Sequence, residues 1–310
     1  MVPVVFIVSL VTFGLIHYVA RDFVPGLQVN SRLTPEDISR VRSNLGLDRP
    51  LPARYLTWLS ELAQGNFGYS LIDGSSVWSL IGERIGSTLI LVGTAMGLAL
   101  VISVPLGVLQ AIRANSRFDR AASVTAAVGY STPQFWLGLI AILLFSVKFQ
   151  EWGLPSLPSS GDRTPFNGSF SDRIAHLILP TAVLALGYIA TWSRFIRSST
   201  LEVLGSDYVR TARAKGMSET RVVFIHALRN SLLPLVTLVA LELPALVSGA
   251  AVVEIVFGWP GIGQLAYTRS LEYDYTTVMG LTLFATVLVL LANLLADLMY
   301  GVVNPRIRYQ

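Results

Sequence analysis

The sequence predicts an all-α integral membrane protein with six transmembrane helices. Three observations predict it: a strongly apolar composition, six long apolar stretches, and arginines concentrated in alternate loops. Of 310 residues, 53% are hydrophobic and only 14% charged, with a mean hydropathy of +0.59. Soluble domains carry about 25% charged residues. The chain holds no cysteine, which excludes disulfides and thiolate metal sites. A net charge of +4 is modest, and its placement follows membrane topology rather than a nucleic-acid surface.

A spanning helix needs roughly 20 predominantly apolar residues. Stretches 2–20, 86–112, 121–150, 174–196, 231–257 and 276–303 satisfy this. The first is short enough to be a signal peptide, but it lacks a basic start and a cleavage triplet, so it reads as a retained span. The loop 21–85 that follows reads as a small folded cap or a lid on the first hairpin. Thr34-Pro35-Glu36-Asp37 has the form of a helix start, and Val41, Leu45 and Leu47 continue a weak apolar stripe that Gly46 interrupts. Tyr55, Leu56, Leu59 and Leu62 recur at helical spacing until Gly65 stops the pattern.

Arg113, Arg117 and Arg120 crowd one short loop. Arg194, Arg197, Arg210, Arg213, Lys215, Arg221 and Arg229 fill a second, and Arg306 and Arg308 end the chain. The opposite side shows only Lys148, Arg163, Arg173 and Arg269 around its short loops, so the basic loops and both termini are expected in the cytoplasm. Trp152, Trp192, Trp259 and Tyr300 stand near span ends, as interfacial aromatics do.

The basic island between Arg194 and Pro234 is the most informative segment. Ser206-Asp207-Tyr208-Val209-Arg210-Thr211-Ala212-Arg213-Ala214-Lys215-Gly216 reads as cap, short helix and glycine stop. Asp207 is expected to accept the first free backbone N–H groups, and Gly216 to take the left-handed conformation. A second short helix runs to Asn230 before Leu233-Pro234 returns to apolar sequence. An eight-residue helix is marginal alone in water, so a docking element for a soluble partner is expected here. Arg210 and Arg213, three residues apart, share a face, whereas Lys215 points elsewhere.

Within the spans, Pro133 and Pro244 break backbone bonding and are expected to kink two helices, either as linings of a path or as ordinary packing kinks. Ser131, Gly129, Ser248 and Gly249 beside them leave room for cargo or close helix contact. Glu242 lies deep and is expected to face that path or a partner, whereas Glu254 and Asp297 lie near span ends and are expected to reach water. The turn Gly258-Trp259-Pro260-Gly261-Ile262-Gly263 reads as an outer loop, with Trp259 and Pro260 as contacts for an external protein or as a tight re-entry. No inverted repeat or arginine-rich sensor helix supports the rival reading, an ion-coupled secondary transporter. The hairpin 207–230 superficially resembles a helix-turn-helix, but it returns to the membrane within a few residues at each end, too closely for a duplex to reach. His17, His176 and His226 fall at different membrane levels, so no metal site is visible. The lysines, Lys148 and Lys215, are followed by Phe149 and Gly216, so neither fits a Walker A loop.

Several stretches together resemble one family. They are Gly46-Leu47-Asp48-Arg49-Pro50-Leu51, Gly65-Asn66-Phe67-Gly68-Tyr69-Ser70, Ser131-Thr132-Pro133-Gln134-Phe135-Trp136-Leu137-Gly138, Tyr208 to Gly216, His226-Ala227-Leu228-Arg229-Asn230, Glu254 to Gly263, and Asn304-Pro305-Arg306-Ile307-Arg308-Tyr309. In this order they resemble the first permease of the dipeptide, oligopeptide and nickel branch of binding-protein-dependent ABC importers, whose cytoplasmic "EAA" loop the island matches. Three features depart from the pattern. Arg210-Thr211-Ala212 replaces Glu-Ala-Ala, Asn66 stands where the family usually has Asp, and the short basic segment before the first span is missing, as if the start were trimmed or misassigned.

The resemblance implies a type I (MetI-like) permease fold with a folded extracytoplasmic loop after the first helix. It divides the chain into span 1–20, cap 21–85 and a five-helix core 86–310 with a coupling loop at 197–230. It implies a multi-pass protein of a bacterial or archaeal plasma (inner) membrane that binds no cofactor itself. Its implied partners are a homologous second permease, two ATPase subunits that hold ATP and Mg²⁺, and an extracytoplasmic substrate-binding protein. The implied cargo is a di- or oligopeptide, with nickel and glutathione open as alternatives. The coupling element would comprise Asp207, Tyr208, Arg210, Thr211, Ala212, Arg213, Ala214, Lys215 and Gly216.

Overall fold

The computed structural model describes residues 3–4, 6–14, 50–165, 168–232, 235–236, 238–239, 242 and 250–303. Among these, every regular element is helical; Tyr69 and Ser76 form an isolated antiparallel bridge. Among the described residues, four helices are long and apolar enough to cross a membrane: Val77–Ile112, Gln134–Glu151, Phe170–Leu204 and Tyr275–Leu295. Residues 6–14 of the first expected span are also helical. Part of the expected span 231–257, including Pro234, Pro244, Ser248 and Gly249, lies outside the described residues, as do the expected helix start at Thr34 and the tail from Asn304.

The helices are α1 (Leu51–Ala63), α2 (Val77–Ile112), α3 (Arg117–Ser131), α4 (Gln134–Ala141) and α5 (Phe170–Leu204). They continue with α6 (Asp207–Ala214), α7 (Glu219–Arg221), α8 (Ala251–Val256), α9 (Ile262–Leu271) and α10 (Tyr275–Val303). α1 realises the expected Tyr55–Leu62 periodicity and ends before Gly65, whose φ of 81° is left-handed. α2 begins nine residues before the expected span because Glu83 and Arg84 continue the helix where hydropathy alone stops. α5 likewise extends beyond the expected 174–196; Ser169 caps it by accepting from the Asp172 N–H at 3.2 Å.

The expected span 121–150 is not one helix. Proline disfavours the helical conformation in the residue before it, and Thr132 is extended (φ −84°, ψ 127°). α3 therefore ends at Ser131, capped at its start by Ser116, and α4 starts again after Pro133. α4 continues through a π-helical stretch, Ile142–Lys148, to Phe149–Glu151. The π-helical widening shifts side-chain register within a span.

The chain forms two compact units, residues 1–85 with 265–290, and residues 86–264 with 291–310. In the first, the Phe67 ring stacks on Trp78 at 5.3 Å, and Gly68 and Gly280 pass so close to Thr276 and Val77 that a Cβ would clash. Asp274, fully buried, accepts from the Ser70 hydroxyl (2.6 Å), the Leu71 N–H (3.0 Å) and the Thr277 hydroxyl (2.7 Å). A backbone N–H and a side chain of the 67–76 turn are thereby tied to the start of α10.

The second unit has its core around Leu91, Val92, Ala95, Ala99, Val183, Leu184, Trp192, Ile196, Val253 and Phe257. α2 reaches α5 at Gly107, where a Cβ would lie 2.7 Å from the Ser193 carbonyl and 2.8 Å from Ile196. Gly97, on the same helix, has nothing within 4 Å of a Cβ. Alanine in an open helix position is favoured by about 1 kcal/mol over glycine. Gly107→Ala should therefore lower the melting temperature in detergent, whereas Gly97→Ala should leave it unchanged or raise it. Equal shifts would contradict the packing.

Candidate functional site

The island folds as a hairpin that continues from the end of α5. Gly205 terminates α5, and Ser206 starts α6 in an extended conformation. Here the expected cap is corrected. Neither Ser206 nor Asp207 caps α6 through its side chain: the Ser206 hydroxyl turns back to the Val203 carbonyl (2.5 Å). Asp207 is already the first helical residue and is 98% exposed, so its carboxylate meets the helix dipole rather than the free N–H groups.

The other end of α6 closes as its glycine predicts. Gly216 has φ 80°, its N–H reaches the Arg213 carbonyl (2.9 Å), and the Met217 N–H reaches the Ala212 carbonyl (3.4 Å). This pair of bonds is a Schellman closure, with Met217 packed back onto the buried cluster. That cluster comprises Val209, Ala212 and Val222, with Val203 and Leu204 of α5 against it. The chain then runs helically through Glu219–Arg221, a π-helical stretch Val222–Ala227 and Leu228–Ser231. Asn230 donates to the Tyr208 hydroxyl (2.8 Å), and the Ser199 hydroxyl donates to the Ser231 carbonyl (3.0 Å).

The two arginines expected to act as a pair divide their work. Arg213 makes a two-pronged bond to Glu219 across the turn, at 2.8 and 3.2 Å. That bond raises the Arg213 pKa and depresses that of Glu219. Arg210 is 72% exposed and only loosely paired with Asp207, at 3.5 Å. The exposed face of α6 is therefore Asp207, Tyr208, Arg210, Thr211 and Ala214, continued by Lys215, while Val209 and Ala212 face inward.

Beneath the hairpin, Asp119 of α3 holds Arg197 of α5. The guanidinium Nε and Nη2 lie 2.6 and 2.8 Å from the two carboxylate oxygens, and the Asn115 N–H adds a third donor at 2.8 Å. The Asp119 side chain is 3% exposed, and the Arg197 bond holds its pKa below the usual carboxylate value. Sequence reasoning missed Asp119; its signal was the Ser116-x-x-Asp119 helix start beside three arginines.

Of the expected path residues, Ser131 and Pro133 stand exposed at the break between α3 and α4, and Glu242 is half-buried. Pro244 and Ser248 lie outside the described residues. Glu254 differs from expectation: it is fully buried rather than in reach of water. Thr88 donates to one carboxylate oxygen (2.7 Å), and the N–H groups of Gly263 and Gln264 donate to the other (2.8 and 3.0 Å). Those amides are the free donors of the first turn of α9, a natural anion seat. A Cβ on Gly261 would lie 2.2 Å from this carboxylate, so the turn can close only over glycine. The turn also corrects Trp259, which is fully buried with its indole N–H on the Ser87 carbonyl (2.9 Å). Trp259 is a packing anchor, and only Pro260 retains part of its surface. Among the described residues, no three His, Asp or Glu side chains converge as a metal would require.

The sequence that builds this geometry matches one family along nearly the whole chain. Residues 103–309 match the family described as binding-protein-dependent transport system inner membrane component, and residues 1–92 match its N-terminal region. The chain belongs to that family. It is a permease subunit of an ABC importer, a transporter component rather than an enzyme. The oligopeptide transport system permease protein AppB of Bacillus subtilis is 40% identical over 99% of this chain and 96% of its own length. The dipeptide transport system permease protein DppB of Escherichia coli is 38% identical over 100% of this chain and 96% of its own length. The MetNI methionine ABC transporter, in inward-facing conformations, offers a chain with a TM-score of 0.58 at 21% identity, covering 73% of this chain and 97% of that one. The fold is thus that of a type I ABC importer permease.

Two outcomes check this geometry. Arg213→Glu should open the turn 213–219 to protease and hydrogen exchange, and adding Glu219→Arg should restore protection; no rescue would contradict the pairing. The folded-state pKa of Asp119 is depressed, so its contribution is complete above the ordinary value of about 4 and fades as pH falls through the lowered one. Thermal melts in detergent should show a steeper loss below about pH 4 for the native chain than for Asp119→Asn.

Proposed function

We propose that this permease imports di- or oligopeptides and forms half of the translocation path beside a homologous second permease. Two ATPase subunits carrying ATP and Mg²⁺ would sit on the cytoplasmic side, and a substrate-binding protein would deliver cargo outside. The observation that carries the coupling role is the closed hairpin, a preformed short helix fixed to the end of α5 with one face left free. The peptide cargo is supported by the curated names of the relatives that match over the full chain.

On this reading the chain has six spans in the plasma membrane, with both termini cytoplasmic. Residues 21–85 form an extracytoplasmic cap, tied down at its end by Ser70, Leu71 and Asp274. α6 is the coupling helix. Tyr208, Arg210, Thr211 and Lys215 meet the ATPase, whereas Arg213 and Gly216 keep the hairpin closed. When ATP draws the ATPase subunits together, the coupling helices approach each other, and the spans rock to open the path outward. Ser131 and Pro133 mark the break that lines the path, and Glu242 belongs to the same path, as do Pro244 and Ser248 by sequence expectation. Pro260 is the surviving candidate for contact with the binding protein.

Charge reversal at Arg210 tests the coupling role without opening the hairpin. Arg210→Glu in the assembled transporter should abolish peptide uptake and the ATP hydrolysis stimulated by the binding protein, with normal membrane insertion and hairpin protection. Uptake within twofold of the native rate would remove α6 as the coupling element.

A further inference from the structure

A groove of about 670 Å³ opens between α3 and α5, lined by Ser123, Tyr130, Thr191, Arg194, Phe195 and Arg197. Its two arginines differ in state. Arg197 is neutralised by the two-pronged bond to Asp119, whereas Arg194 is exposed and makes no ion pair or hydrogen bond among the described residues. The groove therefore carries one uncompensated positive charge on a rigid helix face.

The hydroxyls around that charge are specific in what they can offer. Ser123 accepts from the Gln110 side-chain amide (3.2 Å) and turns its own proton toward the Asp119 carboxylate, so it belongs to the Asp119–Arg197 cluster. Thr191 donates to the Gly187 carbonyl (3.2 Å), so its lone pairs are free to accept. The Tyr130 side chain is exposed at the other end, one residue from Ser131 and the break at Pro133. The free guanidinium of Arg194 suits a carboxylate. The threonine acceptor suits an adjacent amide N–H, and the partly exposed Phe195 ring suits an apolar side chain. The volume falls in the range of about 300–1,000 Å³ usual for small-molecule sites.

We propose that this groove receives the C-terminal carboxylate of a peptide leaving the path, with Arg194 as the specificity-determining cation. The proposal rests on the peptide-importer reading and adds the end of the peptide that is read and the residue that reads it. A lipid phosphate shares the anionic chemistry, and vesicle composition separates the two sources.

The test uses the complete transporter reconstituted with its binding protein, and trialanine as cargo. Native, Arg194→Gln and Arg194→Lys assemblies are compared in phosphatidylcholine vesicles with and without phosphatidylglycerol. Losing a hydrogen bond to a charged group typically costs about tenfold or more. Arg194→Gln should therefore cut trialanine uptake about tenfold in both vesicle types, Arg194→Lys should retain most of it, and stimulated ATP hydrolysis should persist in both. Unchanged uptake in Arg194→Gln overturns the proposal while native uptake upholds the peptide reading. A loss reproduced in the native assembly by omitting phosphatidylglycerol assigns the groove to lipid and also overturns it. Absence of trialanine uptake by the native assembly, with ATP hydrolysis intact, removes the peptide reading and this proposal with it.

Discussion

A helix of eight residues cannot hold its shape in water, and the account of this permease depends on how α6 is made to do so. Three buried side chains, Val209, Ala212 and Val222, close against Val203 and Leu204 at the end of α5. The left-handed Gly216 lets the chain turn without losing its hydrogen bonds, and Arg213 clasps Glu219 across that turn. Each contact is small. Together they fasten the hairpin to the end of a 35-residue helix, and in the proposed coupling role a push on its free face would reach the membrane instead of melting a loop.

The same economy governs the buried charges. Asp119, Glu254 and Asp274 are all buried, and each is held by several donors from more than one element. An acid buried without such partners would cost several kcal/mol. With them, each acts as a locator: Asp119 fixes α3 to α5, Glu254 fixes the turn before α9, and Asp274 fixes the turn before α2. The glycines beside Glu254 and at the α2–α5 crossing serve the same end by letting backbone come close enough to bond or pack.

What the sequence made legible follows from the range of the forces involved. Hydropathy marked the four long apolar helices of the described residues, and local chemistry marked the ends of α1 and α6 at Gly65 and Gly216. The run at 121–150 looked unbroken because hydropathy is blind to the conformational veto of Pro133 on Thr132. α2 ran longer than expected because Glu83 and Arg84 are good helix formers outside any apolar window. Asp207 could not be told from a cap, since only the turn of the Ser206 hydroxyl toward Val203 decides where the helix begins. Trp259 and Glu254 were misplaced for one reason: their partners, Ser87 and Thr88, are more than 150 positions away in sequence. The division of Arg210 from Arg213 needed the position of Glu219 on the far side of a turn.

The most direct test exploits a chain that has no cysteine of its own. A single cysteine at Thr211, on the free face of α6, is cross-linked within the assembled transporter, and the product is identified. The account predicts a cross-link to the ATPase subunit whose yield changes between nucleotide-free and ATP-bound states. Modification of that cysteine from outside intact cells by a membrane-impermeant maleimide, with no ATPase cross-link, would contradict it.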